Sequence, residues 1–177
     1  ELKNVLGNSE NANSIYNKIS FAYTHFDTYF EATQYLIDSI FEKYNLLVIN
    51  MYDDQLKKIF APIIKDELIN QTSKKLVDQT IQSLESKGYK NQASPREINL
   101  FYIKKGLRER IVFESNVFKV LNTEIQFSES ELLNEIDSFP NNFSPNVILR
   151  PLFQETILPN LAYIGGGGEI AYWLERK

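Results

Sequence analysis

Apolar positions recur every three or four residues through the first half of this chain, then give way to short runs with strand character. Phe26, Phe30, Thr33, Ile37, Ile40, Phe41 and Tyr44 form one wide stripe. Such a stripe predicts an amphipathic helix, with Thr24 and Asp27 as its start signal. A weaker helix is expected from about Asn11, behind a ragged Asn- and Ser-rich entry. Leu46-Leu47-Val48-Ile49 follows as a continuous apolar run. It reads as a strand buried on both faces, as in a parallel sheet. Asp53 and Asp54 then open a helix whose face is Leu56, Ile59, Phe60, Ile63, Ile64 and Leu68. Carboxylates favour that end of a helix, and Pro62 inside it predicts a kink or a restart. Ser73 to Lys87 reads as another amphipathic helix, closed by Gly88 in the left-handed conformation.

The character changes after Pro95. Ile98 to Ile103, the turn Lys105-Gly106, and Arg110 to Phe113 predict a hairpin. Val117 to Leu121 and Ile125 to Phe127 extend it into an antiparallel meander. Ser128 and Glu131 form a capping box before Leu132, Leu133 and Ile136, so a short helix follows. Ser144-Pro145 reads as the opening of a further helix, kinked at Pro151. Leu161 to Ile164 reads as a second buried strand, running through Gly165, Gly166, Gly167 and Gly168 into a helical pattern that carries no stop signal. That last feature suggests a piece of a longer protein. Helices, buried strands and an inserted meander together predict an α/β fold with a mixed sheet.

Composition narrows the function classes. The 177 residues are 43% hydrophobic and 24% charged, with 19 basic and 23 acidic side chains and a formal charge of −4. That balance suggests neither a nucleic-acid groove nor a polybasic membrane patch. There is no apolar run of about 18 residues, and the polar, Asn-rich start does not read as a signal peptide. No cysteine and a single histidine, His25, leave no disulfide scaffold, cysteine nucleophile or cysteine-based zinc site. A cytoplasmic protein with no resident metal is the expectation. The aromatic residues sit at core spacing and are not interleaved with basic ones, unlike a single-strand binder.

Two segments carry candidate chemistry. Four glycines ahead of a helix bring backbone N–H groups and the positive end of the helix dipole to one place, which suits a phosphate or carboxylate. The run is neither the dinucleotide fingerprint nor a P-loop, and a tight turn where backbone packs on backbone is the equally weighted alternative. Arg150 stands in an otherwise apolar helical pattern, with Gln154 one turn on. A guanidinium there needs either an anionic ligand or an internal acid, Glu155 or Glu169. The charges at Arg96-Glu97 and Arg108-Glu109-Arg110 are explained by cross-strand ion pairs. His25 reads as a surface or capping residue, and Tyr172 and Trp173 as core.

The string from Ser144 through Arg150-Pro151-Leu152-Phe153-Gln154-Glu155, followed by Leu158-Pro159 and by Ala162-Tyr163-Ile164-Gly165-Gly166 through Glu169-Ile170-Ala171-Tyr172-Trp173, is distinctive. It resembles the BshC family of bacillithiol biosynthesis, the cysteine-adding ligases. Pro95-Arg96-Glu97-Ile98-Asn99-Leu100-Phe101-Tyr102 with Leu107-Arg108, and Ile64-Lys65-Asp66-Glu67-Leu68, are similar to the same family. The resemblance implies a central fragment of a roughly threefold longer enzyme with a Rossmann-like core. In that reading residues 1–52 and 128–177 belong to the core, and 53–127 are a connective insertion of two helices and antiparallel strands. The implied reaction forms an amide between L-cysteine and glucosaminyl-malate. ATP use is left open, a homodimer of the full-length protein is an expectation, and the fragment alone is not expected to turn over substrate. The implied substrate-binding set is Asn146, Arg150, Gln154, Gly165, Gly166, Gly167, Gly168 and Glu169, with Arg96 and Asn99 from the earlier motif; the catalytic residues are not identified. The alternative is a noncatalytic interaction module using the aromatic-rich helical face.

Overall fold

The computed structural model describes residues 1–92 and 94–176, which form two compact units, Glu1–Asn50 and Met51–Lys177. The first unit is helical: α1 (Leu2–Leu6), α2 (Glu10–His25) and α3 (Tyr29–Phe41). Ser9 caps α2 by accepting from the Ala12 amide at 3.1 Å. Thr28 caps α3, accepting from the Glu31 amide at 3.2 Å while its hydroxyl donates to the Glu31 carboxylate. The helix therefore opens later than Thr24. The Thr24 hydroxyl instead donates back to the Ser20 carbonyl within α2. Ala12, Ala22 and Ala32 are buried. Beside them Phe21 and Phe26 pack on Tyr35, with ring centroids 5.0 and 5.4 Å apart. His25 stacks on Phe21 and has Thr24 and the Phe21 carbonyl within hydrogen-bond distance of Nδ1.

The run Leu46 to Ile49 is not a strand. A one-turn 3₁₀ segment ends at Asn45 in the left-handed conformation, and the following residues are irregular, with Leu46 and Leu47 50% and 72% exposed. An apolar run signals that a segment can be buried, but a parallel strand also needs a backbone ladder on each side. No described strand pairs with this segment.

The second unit begins with α4 (Asp54–Asn70), capped by the Asp53 carboxylate, and α5 (Thr72–Glu85). Pro62 does not restart α4. Phe60, Ile64 and Leu68 are buried on either side of it, and the helix runs on through Pro62 despite the missing donor. The meander follows as β1 (Leu100–Lys104), β2 (Leu107–Glu114), β3 (Val117–Val120) and β4 (Gln126–Phe127). Gly106 turns the first hairpin at φ 76°. The capping box at Ser128 and Glu131 starts α6 (Glu129–Ser138), and β5 (Phe143–Pro145) returns to pair with β1. The sheet order is β4-β3-β2-β1-β5, and all its pairings are antiparallel. The mixed sheet expected from two parallel strands is therefore absent among the described residues, although the α/β class stands. Alternate residues Leu100 and Tyr102 of β1, Ile111 of β2 and Phe118 and Val120 of β3 form the core face, covered by α4 and α6.

Ser144-Pro145 lies in this edge strand and opens no helix. The last two helices are α7 (Arg150–Ile157), with Pro151 in its first turn, and α8 (Gly167–Leu174). Proline is suited to a first turn because its missing donor would be unpaired there anyway, so no kink arises. Leu161 to Ile164 is likewise not a strand: Leu161 and Ile164 are almost fully exposed. The expected cross-strand ion pairs are also missing among the described residues. Arg108 and Arg110 face Ile103 and Phe101 across the ladder, so neither has an acid opposite it, and Arg108 lies over the Phe101 ring at 3.8 Å.

Candidate functional site

A buried polar chain sets the position of α7. Glu67, on the buried stripe of α4, accepts at Oε1 from the Asn99 amide (2.8 Å), Asn99 Nδ2 (3.0 Å) and the Ser73 hydroxyl (2.8 Å). Asn99, itself fully buried, accepts at Oδ1 from Asn146 Nδ2 at 2.9 Å and from the Arg96 amide at 3.0 Å. Asn146 then accepts at its own Oδ1 from the Ile148 and Leu149 amides, and its carbonyl takes the Arg150 amide. Each link fixes the next, so the turn that delivers Arg150 is anchored to the last turn of α4.

Arg150 lines a cavity of about 450 Å³ together with Gln154, Gly168, Glu169, Tyr172 and Trp173. Four of the ten candidate residues thus meet in one place. Gly165, Gly166 and Gly167 lead directly into it. Asn99 and Asn146 are engaged in the buried chain, and Arg96 lies apart, beside Pro95, Glu97 and Arg110.

Neither internal acid pairs with Arg150. Glu155 accepts from Asn160 Nδ2, and Glu169 accepts from the Gly166 amide at 3.1 Å and the Tyr163 hydroxyl at 3.2 Å. Among the described residues no carboxylate lies within ion-pair distance of its guanidinium.

The glycines divide into two kinds. A Cβ at Gly165 would come within 2.7 Å of the Tyr163 ring and 3.3 Å of Glu169 Cβ, so this position is sterically confined. At Gly166, Gly167 and Gly168 a Cβ would meet nothing within 4 Å, and none of the three has positive φ. Glycine inside a helix costs up to about 1 kcal/mol relative to alanine. The protein's own packing gives no reason for that cost at Gly167 and Gly168.

Sequence reasoning passed over Lys57. It lies one turn before Phe60 and two before Ile64, in phase with the apolar stripe, and that phase was its signal. The side chain is 2% exposed and its Nζ donates to the Phe143 carbonyl at 2.7 Å, between the rings of Tyr52 and Phe153. Burial, unopposed by any acid, pulls its pKa from 10.5 down to about 8. The unfolded chain therefore holds more protons than the folded one above pH 8, and the linkage makes stability rise with pH in that window. About 2 kcal/mol should be regained between pH 7 and pH 9.5. Urea midpoints measured across that range should show the rise, and Lys57→Met should flatten it.

The family profile for the bacillithiol biosynthesis protein BshC, N-terminal Rossmann-like domain, matches residues 1–177. The chain belongs to the BshC family. Two flavobacterial BshC proteins are similar to it over 172 residues, from Flavobacterium johnsoniae at 52% identity and Flavobacterium psychrophilum at 54%. Each alignment covers 97% of this chain and 32% of the relative. A BshC protein of Staphylococcus haemolyticus is 32% identical over 155 residues, covering 85% of this chain and 28% of its own length. These relatives carry the provisional name cysteine ligase. The BshC chain described here thus spans about a third of the length of the curated relatives it matches. No helix among its described residues is long and apolar enough to cross a membrane.

Proposed function

We propose that this chain is the substrate-holding part of a soluble, cytoplasmic cysteine ligase that forms an amide between L-cysteine and glucosaminyl-malate. The observation that carries this reading is the shared cavity: an arginine without an acid partner faces the first turn of a helix whose glycines the fold does not itself require. In the proposal the Arg150 fork takes a substrate carboxylate in bidentate fashion. The open amides at the start of α8 and the Gln154 side chain complete the donor set. Glu169 has a supporting task, since its carboxylate ties the Gly166 amide and the Tyr163 hydroxyl to the glycine turn. The isolated 177 residues are not expected to complete the reaction.

The test is a mass-spectrometric product assay on a protein of the relatives' full length carrying this chain. It receives glucosaminyl-malate and cysteine, with and without ATP. The expected product has gained one cysteinyl group. Arg150→Ala should lower kcat/KM about 100-fold or more, with Arg150→Lys recovering only part of the loss. Unchanged turnover in Arg150→Ala would remove Arg150 from the site. Well-folded wild-type protein that makes no product under either condition would overturn the ligase reading.

A further inference from the structure

On its other side Arg150 borders a second, smaller cavity of about 220 Å³, shared with Lys57, Arg108, Ser144, Tyr52 and Phe153. Three cations meet here from three parts of the fold: the first turns of α4, strand β2 and the start of α7. None of the described residues lining the cavity is acidic. Among the described residues the Lys57 ammonium has one hydrogen-bond acceptor, the Phe143 carbonyl, although it carries three donor hydrogens. A buried ammonium without a counter-charge is costly, yet here it is joined by two guanidinium side chains rather than by a carboxylate. Arg108 is aligned on the Phe101 ring, a contact that helps hold its fork in place. The two arginines are exposed, so an anion can enter from solvent and reach the buried ammonium.

We propose that Lys57, Arg108 and Arg150 form an anion-binding subsite for a doubly charged oxyanion group, either a paired carboxylate or a phosphate ester. The subsite stands without the ligase reading, because two of its three cations lie outside the larger cavity. A dianion there supplies the charge that the fold withholds from Lys57, and the ammonium becomes fully protonated when the site fills. Binding near pH 8.5 is therefore coupled to proton uptake at Lys57. Arginine stays protonated throughout and gives no such signal.

The experiment is isothermal titration calorimetry on a protein of the relatives' full length carrying this chain, at pH 8.5 in two buffers of different ionisation enthalpy. Malonate is the dicarboxylate probe and methyl phosphate the phosphate-ester probe; both are fully ionised at that pH. The expected result is saturable binding of at least one probe with uptake of about 0.5–1 proton per site, and the tighter probe identifies the source of the group. Lys57→Met should abolish the uptake and weaken binding roughly tenfold or more, with Arg108→Gln weakening it severalfold. Arg108→Gln changes an exposed side chain and keeps the test decisive should Lys57→Met fail to fold. Binding of neither probe, or binding without proton uptake that both variants leave unchanged, would overturn the proposal.

Discussion

Glu67→Ala should lower the unfolding free energy by about 3–5 kcal/mol, because it strands several buried donors at once. Glu67 is 2% exposed, and its two oxygens accept from the Asn99 amide, Asn99 Nδ2, the Ser73 hydroxyl and the Ser73 amide. Alanine removes every one of these acceptors and leaves a void too small and too polar to collapse on. A midpoint shift on the order of 10 °C follows for a chain of this size. Glu67→Gln keeps the shape and the Oε1 acceptor but turns an N–H group toward the Ser73 amide, so a loss of about 2 kcal/mol is expected. Thermal and urea unfolding, followed by circular dichroism and Trp173 emission, would measure both. Equal stability of Glu67→Ala and wild type would mean that the network adds nothing. Glu67→Ala should also loosen the turn that delivers Arg150, since Asn99 and Asn146 link Glu67 to that turn. A rise in substrate KM beyond any loss of folded protein would report that displacement.

Features whose cause is local were legible in the sequence. The capping box at Ser128 and Glu131, the Lys105-Gly106 turn and the left-handed Gly88 each depend on a few adjacent residues, and each appears as read. The glycine-to-helix junction and Arg150 with Gln154 were also legible, because unusual residue types stand at helical spacing. The apolar runs Leu46 to Ile49 and Leu161 to Ile164 were misread as strands for the opposite reason. Their composition records a capacity for burial, whereas a strand also depends on which backbone lies alongside it, and that is set by distant chain. The pairing of β5 with β1 spans some forty residues of sequence and left only three residues as its trace. Asn99 reads in the sequence as a substrate-binding residue and Glu67 only as part of a motif; the fold brings Ser73 and Asn99 to the Glu67 carboxylate and sets Asn146 on Asn99. Lys57 was different: its phase with Phe60 and Ile64 was visible, but a lysine on an apolar stripe is easily taken for one that reaches out to water.

Phe153→Ala is the second substitution expected to have a large effect, at about 3–5 kcal/mol. The ring is fully buried between α7 and α4, 4.8 Å from the Phe60 ring. On its other face it carries the Lys57 ammonium, 5.2 Å from the ring centre. Truncation opens a cavity in the core and removes the cation–π contact that partly offsets the burial of that charge. Water entering the space would solvate Lys57 and raise its pKa toward the ordinary lysine value. The two consequences separate experimentally. Phe153→Leu fills much of the volume without an aromatic face, so it should recover most of the packing and little of the interaction with Lys57. Urea unfolding at pH 7 and pH 9.5 distinguishes the two: Phe153→Leu should lie within about 1.5 kcal/mol of wild type, while Phe153→Ala should lose both its stability and its rise with pH. A Phe153→Ala variant that keeps the full rise would mean that Lys57 stays dry without the ring, held by the Phe143 carbonyl alone.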